Sequence, residues 1–356
     1  MNHEDLSIFK GAILQINEAN AVEAESALLG LVNKQFLEEV NKIAEKDFNS
    51  DDIRDCLDRY EVKRAGILKD FDADCFTSDQ VDFSSIDKSL GIPYALEPLQ
   101  DALGGMVPGS LVVLNAASGV GKSAFIHTQV VHTFRWLNKK QLQSPILFFN
   151  TEGPLSEVFG RMWSNLYQEQ IPEGYTQIVR EQARLQKHFN KAFNKDLFIA
   201  FTGNDMGLNY IRMKIKKYKP CLVILDMAPA IMTSSSKGTN ETGDLKTFFN
   251  SLRRLSSENC PIIATVQAGA GAKWWDKDLQ KYLYKQWPTD DDIYGSKTAV
   301  QGAAETIITI GRDNEHVFTR YIQTTKKKAL QSAKFICEIE EKFSNYRLVD
   351  VVRSHT

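Results

Sequence analysis

The 356-residue sequence is 43% hydrophobic and 25% charged, ordinary values for one large folded domain or two smaller ones. A formal net charge of −2 excludes a whole-protein basic field, but 20 acidic and 10 basic residues in positions 1–92 put −10 there and leave +8 on the rest. No apolar run approaches the roughly 18–20 residues that cross a bilayer, Met1–Lys10 carries Glu4 and Asp5 where a signal peptide needs an apolar core, and five scattered cysteines form no C-x-x-C pair, so a chain of the reducing cytoplasm without a membrane role is expected.

Residues 1–70 read as an acidic helical region. Ala24, Leu28, Leu29, Val32, Phe36 and Val40 recur at helical spacing, and Asn49-Ser50-Asp51-Asp52 offers an N-cap for a second helix, Ile53–Leu68. Residues 71–91 have no period and many Asp and Ser, the composition of a linker. From 92 to about 350 the pattern changes, leaving 351–356 as a tail. Short apolar runs (Leu111–Asn115, Ile146–Asn150, Leu197–Phe201, Cys221–Asp226, Pro261–Val266) alternate with amphipathic stretches (Ser123–Leu137, Leu155–Gln168, Gln177–Phe193, Leu245–Asn259). Buried strands separated by helices predict an α/β domain with a mostly parallel sheet. After Ala304 the runs Thr306–Ile310, Val317–Gln323 and Phe335–Glu340 lack intervening helices and should meander along one edge.

The first strand runs into Ala116-Ala117-Ser118-Gly119-Val120-Gly121-Lys122-Ser123, and a helix follows. This is the P-loop pattern, with Ala at its first position, in the strand–loop–helix setting that its chemistry needs. Gly119 and Gly121 let the backbone curl so that its N–H groups point at phosphate oxygens, and the helix N-terminus adds a favourable dipole. Lys122 can reach the β and γ phosphates of a nucleotide, and the Ser123 hydroxyl can ligate Mg²⁺.

Three further strand ends carry polar groups. The strand Ile146–Asn150 leads to Glu152, either a base that polarises an attacking water or a solvated loop acid. Cys221–Asp226 ends in Asp226, placed to hold a magnesium water shell. Pro261–Val266 ends at Gln267, either a sensor of the γ-phosphate or a strand-end cap.

These four strand ends, in this order, resemble the helicase domain of DnaB-type replicative helicases, and more loosely the RecA and KaiC ATPases. The likeness spans about residues 90–350. Leu103-Gly104-Gly105-Met106-Val107-Pro108-Gly109 is similar to the family's segment before the P-loop, and Gly295-Ser296-Lys297 resembles phage-encoded members. The resemblance implies a RecA-like ATPase core using ATP and Mg²⁺. Glu152 would be the catalytic glutamate, Asp226 the magnesium-linked aspartate and Gln267 the switch. Thr324-Thr325-Lys326-Lys327-Lys328 matches the family's Lys-x-Arg pair, with Lys326 and Lys328 acting in a neighbour's site, although lysine makes a point contact where arginine makes a fork.

It also implies a ring, a hexamer, on single-stranded DNA, in the host-cell cytoplasm if phage-encoded. Two loops follow the strand ends, Thr233–Asn240 and the long segment Gly269–Lys297. Lys237, Lys273 and Lys297 are the expected backbone contacts. Trp274 and Trp275 either stack bases or pack on a neighbouring subunit. Replication partners such as primase, polymerase or loader would use the acidic N-terminal region. A filament-forming recombinase and an ATP-gated clamp or loader share the same core and stand as alternatives.

Overall fold

The computed structural model describes residues 21–44, 56–57, 59–60, 91–170, 183–184, 186–187, 197–203, 206–233, 241–294, 297–326, 332–340 and 345–351. The chain divides into two units, 1–82 and 83–356. In the first, helix α1 (Ala21–Ala44) carries the expected apolar period. Its Phe36 stacks on Tyr60 with ring centres 4.3 Å apart, and its Glu39 pairs with Arg59 at 2.6 Å.

The second unit begins with α2 (Glu97–Leu103) and enters the sheet at β1 (Leu111–Ala116). There follow α3 (Lys122–Lys140), β2 (Ile146–Asn150), α4 (Leu155–Tyr167), β3 (Phe198–Thr202), α5 (Leu208–Tyr218), β4 (Leu222–Asp226), α6 (Ala228–Thr233), α7 (Glu241–Glu258) and β5 (Ile262–Gln267). A hairpin, β6 (Lys273–Asp276) and β7 (Lys281–Tyr284), precedes α8 (Lys297–Ala303), β8 (Thr306–Arg312), β9 (Thr319–Lys326), β10 (Lys334–Glu340) and β11 (Asn345–Val351).

Nine strands form one sheet in the order β11-β10-β9-β8-β1-β5-β4-β2-β3. Strands β8, β1, β5, β4, β2 and β3 run parallel. Every residue of β1, β2 and β4 is buried, because helices cover both faces. One face packs Phe125, Ile126, Val130, Phe134 and Leu137 of α3 against Leu114, Phe148 and Ile224. The other packs Phe248, Phe249 and Leu252 of α7 against Val113, Phe149 and Leu225. By contrast β9 and β10 alternate buried with half-buried positions, the mark of a sheet covered on one side. Strands β8, β9 and β10 form the expected edge meander, which is antiparallel and continues into β11.

Several elements depart from the sequence reading, the short helices α2, α6 and α8 among them. The segment Gly269–Lys297, expected as a long loop, instead holds the β6–β7 hairpin and two short 3₁₀ turns. Helix α5 has no counterpart in the sequence reading, because its apolar residues Ile211 and Ile215 occupy only a few turns of a strongly basic stretch. The last strand, β11, pairs with β10 in a stretch expected to carry no element of its own. The predicted helix Gln177–Phe193 and the linker 71–91 lie almost wholly outside the described residues, as does the predicted helix Ile53–Leu68 apart from four positions.

Candidate functional site

The four strand ends singled out by the sequence belong to four adjacent strands, β1-β5-β4-β2. They therefore meet along the C-terminal edge of the parallel sheet, where open α/β sheets bind ligands. Between β1 and α3 the backbone turns through Gly119 and Gly121, at φ of 77° and 110°. Both values are costly for a side-chain-bearing residue. At Gly121 a Cβ would also collide with Ile339 and with the Tyr346 hydroxyl, 2.8 Å away in the second case. The loop is gripped from outside as well. Tyr346 donates its hydroxyl to the Gly121 carbonyl at 3.1 Å, and buried Arg320 donates its Nε to the Val120 carbonyl.

Lys122 is buried, with its ammonium donating to the Ala116 carbonyl at 3.2 Å. Burial pulls it below the usual lysine range, while the nearby Glu152 and Asp226 carboxylates oppose that shift. Asp226 is also buried, and its carboxyl is raised mainly by desolvation, with Glu152 adding to the rise. Lys122 and a hydrogen bond from Thr265 Oγ1 at 2.9 Å favour its ionised form. The same threonine oxygen accepts the Met227 N–H at 2.7 Å, so β5 fixes the end of β4.

Glu152 sits on a tight turn. Asn150 donates its amide to the Gly153 carbonyl at 2.9 Å, and Gly153 has a φ of 72°. Thr151 donates to the Asp226 carbonyl at 2.9 Å, tying this turn to β4. Glu152 itself is exposed and faces a cleft of about 440 Å³ shared with Ser118, Lys122, Ser123 and Gln267. That volume lies within the roughly 300–1,000 Å³ typical of small-molecule sites. Ala116, Ala117 and Val120 are buried beneath the loop.

Two arginines in the cleft, Arg161 and Arg320, are not among the site residues expected from the sequence. Arg161 pairs with Glu157 at 3.3 Å, and with burial it helps push His127 down to about 3. Nothing in the sequence marks Arg320, because the carbonyl it holds is 200 positions away.

The remaining candidates are spread out. Lys326 donates to the Gln301 carbonyl, and its strand partner is Ile307. The P-loop leaves β1 at Ala116, beside Ile310. Lys326 therefore lies toward the opposite end of β8 from its own P-loop, about 10 Å along the strand. Lys273 is half-buried on β6, and Lys297 is the first residue of α8. Lys237 and Lys328 lie outside the described residues.

No described group of three or more His, Cys, Asp or Glu could hold a metal by itself. The expected metal-side donors are the Ser123 hydroxyl and the buried Asp226 carboxylate, with Ser118 and Glu152 also at the cleft. Such a sparse oxygen set suits Mg²⁺ that arrives with phosphates and keeps several waters.

A doubly covered parallel sheet, a P-loop and polar strand ends at its C-terminal edge define a nucleotide-using ATPase with a RecA-like core. The model of the DnaB-like helicase C terminal domain matches residues 91–336, and the chain belongs to that family. It is an ATP-hydrolysing replicative DNA helicase. Among solved structures, the fold resembles one described as an ATPase domain, at a TM-score of 0.57 and 15% identity, covering 82% of this chain and 98% of that one. It also resembles a DnaB-like replicative helicase described with its interactions with primase, at a TM-score of 0.64 and 13% identity, covering 92% and 77%. No curated protein matches the chain in sequence.

Proposed function

We propose that the enzyme is a ring, a hexamer, that moves on single-stranded DNA by hydrolysing ATP in this cleft. The observation carrying this reading is the convergence of Lys122, Ser123, Glu152 and Gln267 on one cleft, with Asp226 buried behind it. Residues Ala116 to Ser123 cradle the phosphates through backbone N–H groups, and Lys122 neutralises charge on the β and γ groups. Mg²⁺ supplies Lewis-acid stabilisation of phosphate charge when bound, with Ser123 as ligand and Asp226 orienting its water shell. Glu152, exposed on its turn, takes the proton of the attacking water. Gln267 hydrogen-bonds the γ-phosphate and shifts when it leaves.

One feature supports completion of the site by a neighbour. The Lys326 end of β9 lies toward the far end of β8 from its own P-loop, which supports the reading that Lys326 or Lys328 serves another copy. A contact of that kind makes a head-to-tail interface, which closes into a ring when the rotation permits. Lys237, Lys273 and Lys297 then line the path of the strand, each weak alone and repeated around the ring. The net +8 of residues 93–356 is small for one subunit, but lysine contacts repeated around a ring add up, so binding should fall steeply with salt. The acidic helical region, 1–70, faces partners such as primase, polymerase or loader, with 71–91 as a linker to the ATPase domain at 92–350. The protein works in the cytoplasm, the host's if it is phage-encoded.

Strand displacement on a forked duplex tests this. Unwinding is expected with Mg–ATP and absent without it. DNA-stimulated hydrolysis without unwinding would refute the motor reading.

A further inference from the structure

The β6–β7 hairpin has an unusual composition for a solvent-facing ribbon. In its antiparallel register Lys273 stands opposite Tyr284, and Trp275 opposite Tyr282. Opposed residues share a face, so Lys273, Trp275, Tyr282 and Tyr284 form one surface. The Trp275 and Tyr282 rings meet edge-on with centres 4.9 Å apart. The Lys273 ammonium lies 4.4 Å from the Tyr282 ring centre and 5.3 Å from that of Tyr284. Yet Trp275 and Tyr282 remain 51% and 53% exposed.

The hairpin has a modest excess of positive charge, with Lys273, Lys277, Lys281 and Lys285 against Asp276 and Asp278. Asp276 is committed to the turn, where it accepts the N–H groups of Asp278 and Leu279 at 2.9 Å each. Lys285 is committed to Asp292 at 2.8 Å. Lys273 is left beside the aromatic face, and Lys277 and Lys281 extend the positive field around the ribbon.

The hairpin is also wired to the nucleotide cleft. Gln267 lies just upstream of β6, and its carbonyl accepts the Tyr294 N–H at 3.0 Å. Gly269 donates to the Asp292 carbonyl at 2.6 Å. At the other strand, Tyr284 and Asn314 exchange hydrogen bonds at 2.7 and 2.9 Å. Asp292 in turn holds Lys285 at 2.8 Å, so a chain of bonds connects the Gln267 segment to the base of the hairpin.

We propose that this face is a base-stacking platform for single-stranded nucleic acid, with an unstacked base on the Trp275 indole beside Tyr282 and a phosphate near Lys273. The proposal rests on the helicase reading and deepens it, adding contact with bases to contact with phosphates. Stacking suits a motor that must track any sequence, since every base has a π face. The charge favours nucleic acid over an apolar neighbouring surface, which would gain nothing from a lysine held on the rings.

The test uses the full chain with a non-hydrolysable ATP analogue and Mg²⁺. Fluorescence anisotropy compares an oligo-dT with a strand of the same length made of abasic sites. The wild type should bind oligo-dT at least about tenfold more tightly than the abasic strand. Trp275→Ala should weaken oligo-dT binding to the abasic level and leave abasic binding unchanged, while Trp275→Phe should restore most of the difference. Equal wild-type affinity for the two strands overturns stacking and leaves the helicase reading standing. So does a Trp275→Ala protein that loses both affinities alike. Rings that fall apart in sedimentation of Trp275→Ala would assign the indole to a subunit contact and also overturn it. A wild type that binds neither strand overturns both readings.

Discussion

The parallel half of the sheet and its antiparallel edge treat polar groups in opposite ways. In β1, β2 and β4 burial on both faces leaves few places along a strand for an ionised side chain, because an unpaired buried charge costs far more than folding can spare. Polar groups are pushed to the strand ends, and the ends of four adjacent strands become the site. The antiparallel β9 and β10 are covered on one side only. They carry polar groups on the open side, and on the covered side Arg320 is tolerated because its donors meet the Val120, Val317 and Thr319 carbonyls, which lets it hold the P-loop from outside. On the proposed mechanism, one half supplies the groups that act on the nucleotide, and the other holds the loop that cradles it.

The largest effect expected from breaking this division is at Glu152. Glu152→Gln keeps the shape of the turn but removes the base, so hydrolysis should fall at least about 100-fold while nucleotide binding persists. Single-turnover hydrolysis and nucleotide titration read the two separately. Near-normal turnover would remove Glu152 from the chemistry.

Arg320→Ala attacks the other half. It deletes the Nε donor to Val120 and the Nη1 donors to the carbonyls of Val317 and Thr319, 2.6 and 3.0 Å away. Leaving the buried Val120 carbonyl and the two part-buried ones without this partner should cost about 2–3 kcal/mol, roughly 5–10 °C in unfolding midpoint for a domain of this size. Calorimetry with and without nucleotide measures it. An unchanged midpoint with hydrolysis abolished would give the antiparallel edge a chemical role and erase the contrast.

Asp313 ties the antiparallel edge to the base of the hairpin. Burial alone would raise its carboxyl, but the N–H groups of Glu315 and His316, the Tyr321 hydroxyl and the Gln286 amide hold it down to about 2. A depressed carboxyl stabilises the fold above its unfolded value near 4, and that contribution fades as pH falls toward 2. Asp313→Asn should therefore lose about 1–2 kcal/mol near neutral pH, and the gap to wild type should narrow between about pH 4 and 2. Acid-unfolding curves of the two proteins check the sign; a constant gap would mean that the ionised carboxylate contributes nothing.

The same division decides what the sequence makes legible. Strands β1, β2, β4 and β5 announce themselves because burial on both faces demands continuous apolar runs, and their polar ends stand out against them. The hairpin does not. Its strands are four residues each, aromatic and charged together, and its turn uses Gln280 at a φ of 46° where glycine or asparagine would have signalled a reversal. Arg320 is silent for another reason: its role depends on a tertiary contact with Val120 that no local pattern encodes. Lys122, Ser123, Glu152 and Gln267 could be read locally because each follows directly from a strand.

The smallest effect sharpens the comparison most. Tyr346→Phe removes one hydroxyl and its 3.1 Å bond to the Gly121 carbonyl, while the ring's edge contact with Phe125, at 5.8 Å between centres, can remain. The cost should be about 1 kcal/mol or less. Tyr346 and Arg320 grip adjacent carbonyls of one loop, so their effects should not add. In a double-mutant cycle read by nucleotide affinity, Arg320→Ala with Tyr346→Phe should deviate from the sum of the single changes by at least about 0.5 kcal/mol. Full additivity would mean that the two side chains stabilise the fold independently, and that the antiparallel edge does not hold the P-loop as a unit.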